Sequence, residues 1–278
     1  MKTIAIMGMG LMGSSLGLAL KARGVPVRVS AYARREDTRV LALERGMADA
    51  VFADPAEAVK GAKVVVFCVP ILTTPELAKA CLPSLKPGAV LTDVGSTKAE
   101  LNRLMTEALA GTDAVFVGSH PISGSEQQGI EAAVADLYEG AVTIVTPDND
   151  APAAAVEEIS GLWKSAGSTV HLMEAETHDR ILASTSHLPH LVAATLALSV
   201  GSDGTFCGSG FRDTTRIAEG SPKVWSDIVR TNAPALKEAL KDFRVRLDEL
   251  AARVEEGDGD KLTGWFDAAR DQRKELLG

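Results

Sequence analysis

The sequence lacks features that several classes of protein require. It has three cysteines, Cys68, Cys81 and Cys207, an odd number without a CxxC motif, which favours buried thiols in a reducing compartment over a disulfide framework. The formal net charge is −8 and lysines and arginines form no cluster, which excludes a sequence-independent grip on nucleic-acid phosphates. Internal repeats and low-complexity tracts are also missing.

Long apolar runs are scarce as well. The N-terminal stretch 1–24 has one lysine before an apolar segment, as a signal peptide does, but Gly8, Gly10, Gly13 and Gly17 interrupt it. A strand, a turn and a helix explain this stretch better. No other segment reaches the roughly 18 uninterrupted apolar residues of a membrane span. We therefore expect a cytoplasmic protein that does not insert into membranes.

The first half of the chain alternates between short β-rich segments and helical patterns. The predicted strands are Thr3–Met7, Val27–Tyr32, Val64–Val69, Ala89–Val94, Ala114–Val117, Val142–Val145 and Thr169–Leu172. Near-continuous apolar runs such as 64–69 are typical of parallel strands covered on both faces. Residues 1–173 are therefore predicted to form an α/β domain, a Rossmann-type doubly wound parallel sheet that binds a dinucleotide.

The strand pattern disappears after residue 174, and residues 174–278 are predicted to form an all-helical substrate and dimerisation domain. Ser221 and Pro222 predict a helix start, and Pro234 predicts a kink or a restart. Six apolar residues recur at steps of four and three: Leu236, Leu240, Phe243, Leu247, Leu250 and Val254. This seam either pairs with a second subunit in a homodimer or packs within its own domain. We expect the active site in the cleft between the two halves.

A glycine-rich turn lies between the first strand and the first helix. It consists of Gly8, Met9, Gly10, Leu11, Met12 and Gly13, a GxGxxG motif. Gly8 permits the tight turn, Gly10 the approach of a pyrophosphate and Gly13 close helix packing, while the helix N-terminus attracts the phosphates. We add Val69 and Pro70 to this predicted cofactor site. The alternative is a turn with a purely structural role.

The end of the second strand predicts which dinucleotide binds. NAD enzymes of this fold usually carry an acid there for the ribose 2′-hydroxyl, but this position is Ala33, followed by Arg34 and Arg35. Guanidinium groups bind a 2′-phosphate bidentately, so NADP is favoured, with NAD still possible. In the alternative, the arginines are solvated and Glu36 or Asp37 binds the ribose.

The five histidines are few enough to be informative. His120 follows a predicted strand end, in GSHPISGSE at 118–126, where α/β sheets place their ligands. His178, His187 and His190 lie together in HDRILASTSHLPH, next to Asp179. This spacing could suit a metal, but no cysteine joins the cluster and hydride transfer to a nicotinamide needs no metal. We expect no metal site.

Five segments in order along the chain resemble the prephenate and arogenate dehydrogenases of tyrosine biosynthesis. They are GMGLMG at 8–13, DVGSTK at 93–98, GSHPISGSE at 118–126, HDRILASTSHLPH at 178–190 and GSGFRDTTRIA at 208–218. The resemblance implies oxidative decarboxylation of prephenate, arogenate or both, with hydride transfer to the nicotinamide and loss of carbon dioxide. It covers nearly the whole chain.

The resemblance also implies roles for individual residues. His120 would accept the proton of the ring hydroxyl, and Ser96 would lie near the hydroxyl and nicotinamide and help to orient His120. The alternative role of Ser96 is a helix N-cap. Arg216 would clamp a substrate carboxylate, or else form an internal ion pair with Asp213 or Glu126.

Further residues follow from the same resemblance. A gating ionic network would comprise Glu126, Asp213 and Arg212, and the pocket wall would include Ser186, His187 and His190. The two histidines could instead serve local structure. An acid in the pocket would favour the ammonium of arogenate over the keto group of prephenate, but Asp203 and Asp227 cannot be placed from sequence, so the choice of substrate stays open.

Two rival functions remain at the level of sequence. A β-hydroxyacid dehydrogenase of similar architecture would use Lys98 as its base, although the two histidine segments would then have no role. A non-catalytic NADP-binding sensor would use the helical half to meet a partner.

Overall fold

The computed structural model describes residues 1–124, 127–201 and 204–278. It contains two compact units, Met1–Ala233 and Pro234–Gly278. The predicted boundary at residue 173 stays a prediction.

A six-stranded parallel sheet forms the centre of the first unit. Its strands are β1 (Lys2–Met7), β2 (Val27–Tyr32), β3 (Ala50–Phe52), β4 (Val64–Phe67), β5 (Val90–Asp93) and β6 (Val115–Phe116). They lie in the order β3-β2-β1-β4-β5-β6, and every neighbouring pair is parallel. This is the strand order of dinucleotide-binding folds. The predicted Rossmann-type doubly wound sheet is confirmed.

Helices cover both faces of this sheet. They are α1 (Leu11–Ala22), α2 (Glu36–Glu44), α3 (Pro55–Ala58), α4 (Thr74–Cys81), α5 (Ala99–Ala108) and α6 (Ala153–Ala166). Successive β1 residues point to opposite faces: Ile4 and Ile6 belong to one buried apolar cluster, whereas Ala5 and Met7 belong to the other. Burial on both sides explains why the strands read as nearly continuous apolar runs.

A second, smaller sheet follows directly. Its strands are β7 (Gly118–Ile122), antiparallel to β8 (Val142–Thr146), and β9 (Thr169–Leu172), parallel to β8. Neither β7 nor β3 was predicted: β3 has only three residues, and glycine and proline disguise β7. His120 therefore lies within a strand, where it pairs with Ile144, rather than in a loop past a strand end.

The described residues beyond β9 contain helices and no strand. Those of the first unit are α7 (Ala175–Leu182), a π-helical turn (Ala183–His187), α8 (Leu188–Ser199), α9 (Ser209–Thr215) and α10 (Pro222–Thr231). Ser221 is the N-cap residue of α10 and Pro222 its first residue, as predicted.

Among the described residues, one continuous helical run, Ala175–Ser199, is long and apolar enough to cross a membrane. We expected no such segment. The run was not expected because polar residues interrupt it, whereas the sequence-based criterion requires an uninterrupted apolar stretch. In the structure, 28% of its most apolar window is buried inside the protein. It carries buried His178, Asp179 and His187, and a core helix passes the same test, so the run alone does not indicate a membrane protein.

The second unit is a pair of helices, α11 (Ala233–Glu256) and α12 (Gly259–Leu277). Pro234 lies in the first turn of α11, so the helix restarts there, as predicted. The Asp258 side chain caps α12 by accepting hydrogen bonds from the backbone N–H groups of Asp260 and Lys261.

Candidate active site

The glycine-rich turn connects β1 to α1 with backbone that only glycine fits. Gly8 has a φ of 120°, and a Cβ atom there would lie 2.5 Å from the carbonyl oxygen of Cys68. A Cβ on Gly13 would lie 2.0 Å from the carbonyl oxygen of Gly8. Gly10 differs, because a Cβ on it would meet no atom within 4 Å. Gly8 and Gly13 are thus required for close packing, whereas Gly10 leaves open space beside the helix N-terminus.

That helix N-terminus suits an anion. Gly10 is the N-cap residue of α1 and supplies no side-chain cap, and the first turn contains no acidic residue. The first N–H groups therefore keep their partial positive charge for a ligand. A pyrophosphate fits this cradle, in which residues 8–13 would hold it through the backbone.

The connection between β7 and β8 contacts the turn and the start of α1 from outside. The buried Tyr138 hydroxyl donates a hydrogen bond of 2.7 Å to the carbonyl oxygen of Met12, and the Val134 N–H donates to Ser15 Oγ at 3.1 Å. Sequence reasoning missed Tyr138, since nothing local relates it to a turn 126 residues away.

The arginines after β2 are not equivalent. Arg35 makes two hydrogen bonds to the Asp37 carboxylate, at 2.9 and 2.6 Å, and this partner lowers the pKa of Asp37 to about 2. Arg39, which sequence reasoning overlooked, donates to the carbonyl oxygens of Ala33 and Arg34 at 3.1 and 2.7 Å. Arg34 is exposed, and within the described ranges no hydrogen bond engages its side chain. Arg34 is thus the arginine available to a phosphate.

A cavity of about 280 Å³ opens beside the turn. Its lining residues are Met12, Cys68, Val69, Pro70, Ile71, Val94, Gly95, Ser96, His120, Pro121, Ser123, Val224 and Asp227. The structure therefore brings together Met12, Val69 and Pro70, predicted for the cofactor, with Ser96 and His120, predicted for catalysis. It adds Asp227, an acid whose place the sequence did not reveal.

His120 is held by a chain of buried hydrogen bonds. Its Nδ1 lies 2.9 Å from Nε2 of His178, and Nδ1 of His178 lies 2.8 Å from Oδ1 of Asp179. Asp179 also accepts hydrogen bonds from the backbone N–H groups of Lys98 and Ala99, at 2.8 and 2.9 Å. Sequence reasoning expected Ser96 to orient His120; the hydrogen bond to the ring comes from His178 instead.

Burial governs the charge of His120. Removal from water lowers its pKa well below 6.5, and nearby His178, Lys98 and His187 lower it further. His120 is therefore neutral at neutral pH, the form required of a proton acceptor.

Ser96 is not a helix cap. Helix α5 begins at Ala99, and the Asp179 carboxylate rather than the Ser96 hydroxyl accepts hydrogen bonds from its first N–H groups. The structural alternative for Ser96 is therefore wrong, and its side chain remains on the cavity wall.

The other two histidines of the cluster are buried away from this lining. His187 Nδ1 lies 3.1 Å from Asn232 Nδ2, and burial lowers the pKa of His187 to about 4. His190 stacks on Trp225 with ring centroids 3.4 Å apart. Neither histidine, nor half-buried Ser186, lines the cavity. For His187 and His190 these contacts support the structural alternative; their predicted role in substrate binding stays a prediction.

The predicted cations of the helical part lie on its surface. Arg216 and Arg212 are exposed, and Arg212 Nε donates to the Cys207 carbonyl oxygen at 3.4 Å. Asp213 is exposed as well. Glu126, the third member of the predicted ionic network, lies outside the described residues, as does Asp203. The clamp and the network stay predictions.

The comparisons with known proteins agree with this arrangement. Residues 16–172 match the family model described as prephenate dehydrogenase, nucleotide-binding domain, and residues 174–268 match prephenate dehydrogenase, dimerization domain. The chain belongs to the prephenate dehydrogenase family.

Three individual relatives match over nearly their whole length. A cyclohexadienyl dehydrogenase of Zymomonas mobilis is 36% identical, with 99% of this chain and 96% of the relative covered. The crystal structure of A. aeolicus prephenate dehydrogenase in complex with hydroxyphenyl propionate and NAD+ has a TM-score of 0.91 at 28% identity, covering 99% and 98% of the two chains. Synechocystis arogenate dehydrogenase has a TM-score of 0.83 at 27% identity, covering 99% and 100%.

The environment of Lys98 argues against the rival dehydrogenase of this fold. Lys98 is fully buried, its ammonium is paired with the Asp93 carboxylate, and it donates to the Ser119 carbonyl oxygen at 2.9 Å. Burial lowers the pKa of Lys98, an effect that Asp93 opposes. Lys98 does not line the cavity, so it is not placed to remove a proton from a substrate there.

Within residues 1–124, 127–201 and 204–278, no group of three or more histidine, cysteine, aspartate or glutamate side chains is arranged to hold a metal ion.

Proposed function

We propose that this protein catalyses the NADP-dependent oxidative decarboxylation of prephenate, arogenate or both, in tyrosine biosynthesis. The observation that carries the proposal is the neutral, buried His120 in one cavity with Ser96 and the cofactor-side residues Met12 and Val69. Membership of the prephenate dehydrogenase family supports the same reaction.

The dinucleotide supplies the hydride acceptor at nicotinamide C4. His120 accepts the proton of the ring hydroxyl as the hydride leaves the carbon that bears it. The carbon–carboxylate bond then breaks and carbon dioxide leaves. The electron pair of the broken bond stays with the ring and completes its aromatic system. Ser96 orients the hydroxyl, and Arg216 binds a substrate carboxylate through its guanidinium fork.

The first test replaces the proton acceptor. His120→Ala should reduce kcat by roughly two to four powers of ten, the usual contribution of a positioned base, with little change in NADP affinity. His171→Ala is the matched control, because His171 is an exposed histidine on β9. Turnover would be followed through the absorbance of the reduced cofactor. Unchanged kcat in His120→Ala would refute the role of His120 as the base, whereas no turnover by the wild type beside normal NADP binding would favour the sensor.

The choice of NADP rests on Ala33 and the available Arg34. No acid follows β2 directly to repel a 2′-phosphate, and Arg39 holds the backbone that carries Arg34. Arg34→Ala should raise the KM for NADP about 10-fold or more, the cost of one charge-assisted contact, and leave the KM for NAD unchanged. Arg103→Ala, a surface arginine on α5 paired with Glu100, is the control. Equal effects on both cofactors would contradict the assignment.

The substrate side chain is proposed to be read by Asp227. This acid is only 8% exposed, lines the cavity, and has no ion pair or hydrogen bond to its carboxylate within the part of the chain that the structure describes. An unpaired buried carboxylate favours a cationic partner such as the ammonium of arogenate. Asp227→Asn should therefore lower kcat/KM for arogenate at least 10-fold more than for prephenate. A proportionate loss for both would rule out this role.

A homodimer is proposed to form through the helical segment 234–278. Leu240, Leu247 and Val254 of the α11 seam are 38, 47 and 63% exposed in the single chain, and the matched family model is a dimerization domain. Light scattering after gel filtration should give twice the chain mass, and Leu247→Glu should shift the measured mass toward that of the monomer.

The three cysteines are all free thiols, in keeping with the proposed cytoplasmic location.

A further inference from the structure

We propose that His178 and Asp179 are positioning residues that fix the tautomer of His120, leaving its Nε2 bare to accept the substrate proton. The kinetic part of this inference rests on the proposed function, whereas the tautomer itself does not.

The direction of the hydrogen bonds starts at Asp179. Its two oxygens accept hydrogen bonds from the backbone N–H groups of Lys98 and Ala99, which are donors only. Both oxygens of Asp179 therefore act as acceptors toward the backbone. The 2.8 Å contact to His178 therefore has the His178 Nδ1–H as donor.

The next link follows from the chemistry of imidazole. A neutral imidazole carries a proton on only one nitrogen; in the neutral form of His178 that proton lies on Nδ1, toward Asp179, and Nε2 is an acceptor. The group 2.9 Å away, His120 Nδ1, must then be the donor. With its single proton on Nδ1, His120 has a lone pair on Nε2.

Burial makes this chain of donors and acceptors consequential. His120, His178 and Asp179 are 8, 0 and 4% exposed, so water is largely excluded from competing with the hydrogen bonds between them. The low pKa of His120 keeps its ring neutral, and only a neutral ring has a tautomer to choose. Without His178, the proton could move to Nε2 and block the base.

The fold makes Asp179 a rigid reference point. His178 and Asp179 are adjacent residues near the middle of α7, and Asp179 is attached to the backbone at the start of α5. Asn232 Nδ2 donates to the Asp179 carbonyl oxygen at 2.8 Å and fixes the same residue from a third side. The orientation of His120 is thus set by two helices of the first unit rather than by a loop.

The kinetic experiment compares two substitutions at position 178. His178→Ala removes the acceptor and should lower kcat about 10- to 100-fold, part of the effect of losing the base itself, with the KM values nearly unchanged. His178→Gln offers a side-chain oxygen to His120 Nδ1–H and should recover kcat to within a few fold of the wild type. Glu176→Ala, an exposed residue of α7, is the control. Equal kcat losses in the Ala and Gln variants, or no loss in His178→Ala, would overturn the positioning role.

A spectroscopic measurement tests the tautomer without turnover. The 15N chemical shifts of His120 in labelled wild-type protein at pH 7.5, assigned by their loss in His120→Ala, should show a protonated Nδ1 and a bare Nε2. In His178→Ala the His120 signals should shift toward the Nε2–H form or an average of the two forms. A wild-type His120 protonated on Nε2 would refute the inference. Absence of prephenate and arogenate turnover beside the expected shifts would instead refute only the proposed function.

Discussion

Lys98→Met tests whether the buried ammonium of Lys98 is structural. The substitution keeps an unbranched apolar stem but removes Nζ, which is paired with Asp93 and bonded to the Ser119 carbonyl oxygen. Removing one partner of a buried ion pair typically costs about 3–5 kcal/mol, because the other charge stays buried without compensation. Asp93 retains two backbone donors, the Gly95 N–H at 2.6 Å and the Ser119 N–H at 3.1 Å. We therefore expect a cost near the lower end, about 3 kcal/mol.

Thermal unfolding followed by circular dichroism measures this cost. In a unit of this size each kcal/mol shifts Tm by about 2–4 °C, so Lys98→Met should melt on the order of 10 °C below the wild type. Lys79→Met is the matched control, since Lys79 pairs with Glu76 on the surface, where an ion pair contributes about 0–1 kcal/mol. The double variant Asp93→Asn/Lys98→Met, which removes both charges of the pair, should recover part of the loss.

Two results would refute the reasoning. A Tm for Lys98→Met within about 2 °C of the Lys79→Met value would show that the buried pair contributes little. A variant that stays folded at 20 °C, binds NADP normally and yet has no measurable kcat would return Lys98 to the chemistry, as the β-hydroxyacid dehydrogenase interpretation requires.

Three further predictions address the glycine turn, the pH dependence of stability and the support of the turn. Gly10→Ala should weaken NADP binding with a Tm within a few degrees of the wild type, whereas Gly13→Ala, whose Cβ would lie 2.0 Å from a backbone oxygen, should lower Tm strongly; equal Tm values would contradict this. His187 has a pKa of about 4 in the folded protein and of 6.5 in the unfolded chain. Between these pH values the unfolded state binds more protons, so the free energy of unfolding should fall by about 3 kcal/mol as the pH drops from 6.5 to 4. Urea titrations should show a smaller fall in His187→Asn, and an identical fall would disprove the assignment. Tyr138→Phe leaves the Met12 carbonyl oxygen without its donor, so it should lower the free energy of unfolding in urea by about 1–3 kcal/mol and weaken NADP binding. Wild-type stability and wild-type NADP affinity in this variant would show that the hydrogen bond is dispensable.

The features that the sequence predicted are those written in local patterns. The apolar strands, the glycine turn and the Ser221–Pro222 helix start each depend on residues within a few positions of one another, and the structure has all three. Strand β7 escaped prediction because Gly118 and Pro121 do not look like a strand, although pairing with β8 overrides their low propensity.

The features that were missed depend on contacts between distant residues. His178 and Asp179 were visible as a pair, but their partners lie 58 and 81 positions away along the chain. The sequence around them raised only the question of a metal site and did not reveal that they contact His120 and the start of α5. Asp227 was likewise unplaceable, because its position on the cavity depends on how α10 packs rather than on the sequence around it.

The attachment of Asp179 to two backbone N–H groups and one histidine has a consequence for how this family member tolerates mutation. The same carboxylate caps α5 and, through His178, orients His120. A substitution at position 179 therefore changes fold stability and turnover together, whereas a substitution at position 178 affects mainly turnover. In a deep mutational scan, the two neighbouring positions should show different epistasis: stabilising background mutations should rescue the abundance of position-179 variants without restoring their activity.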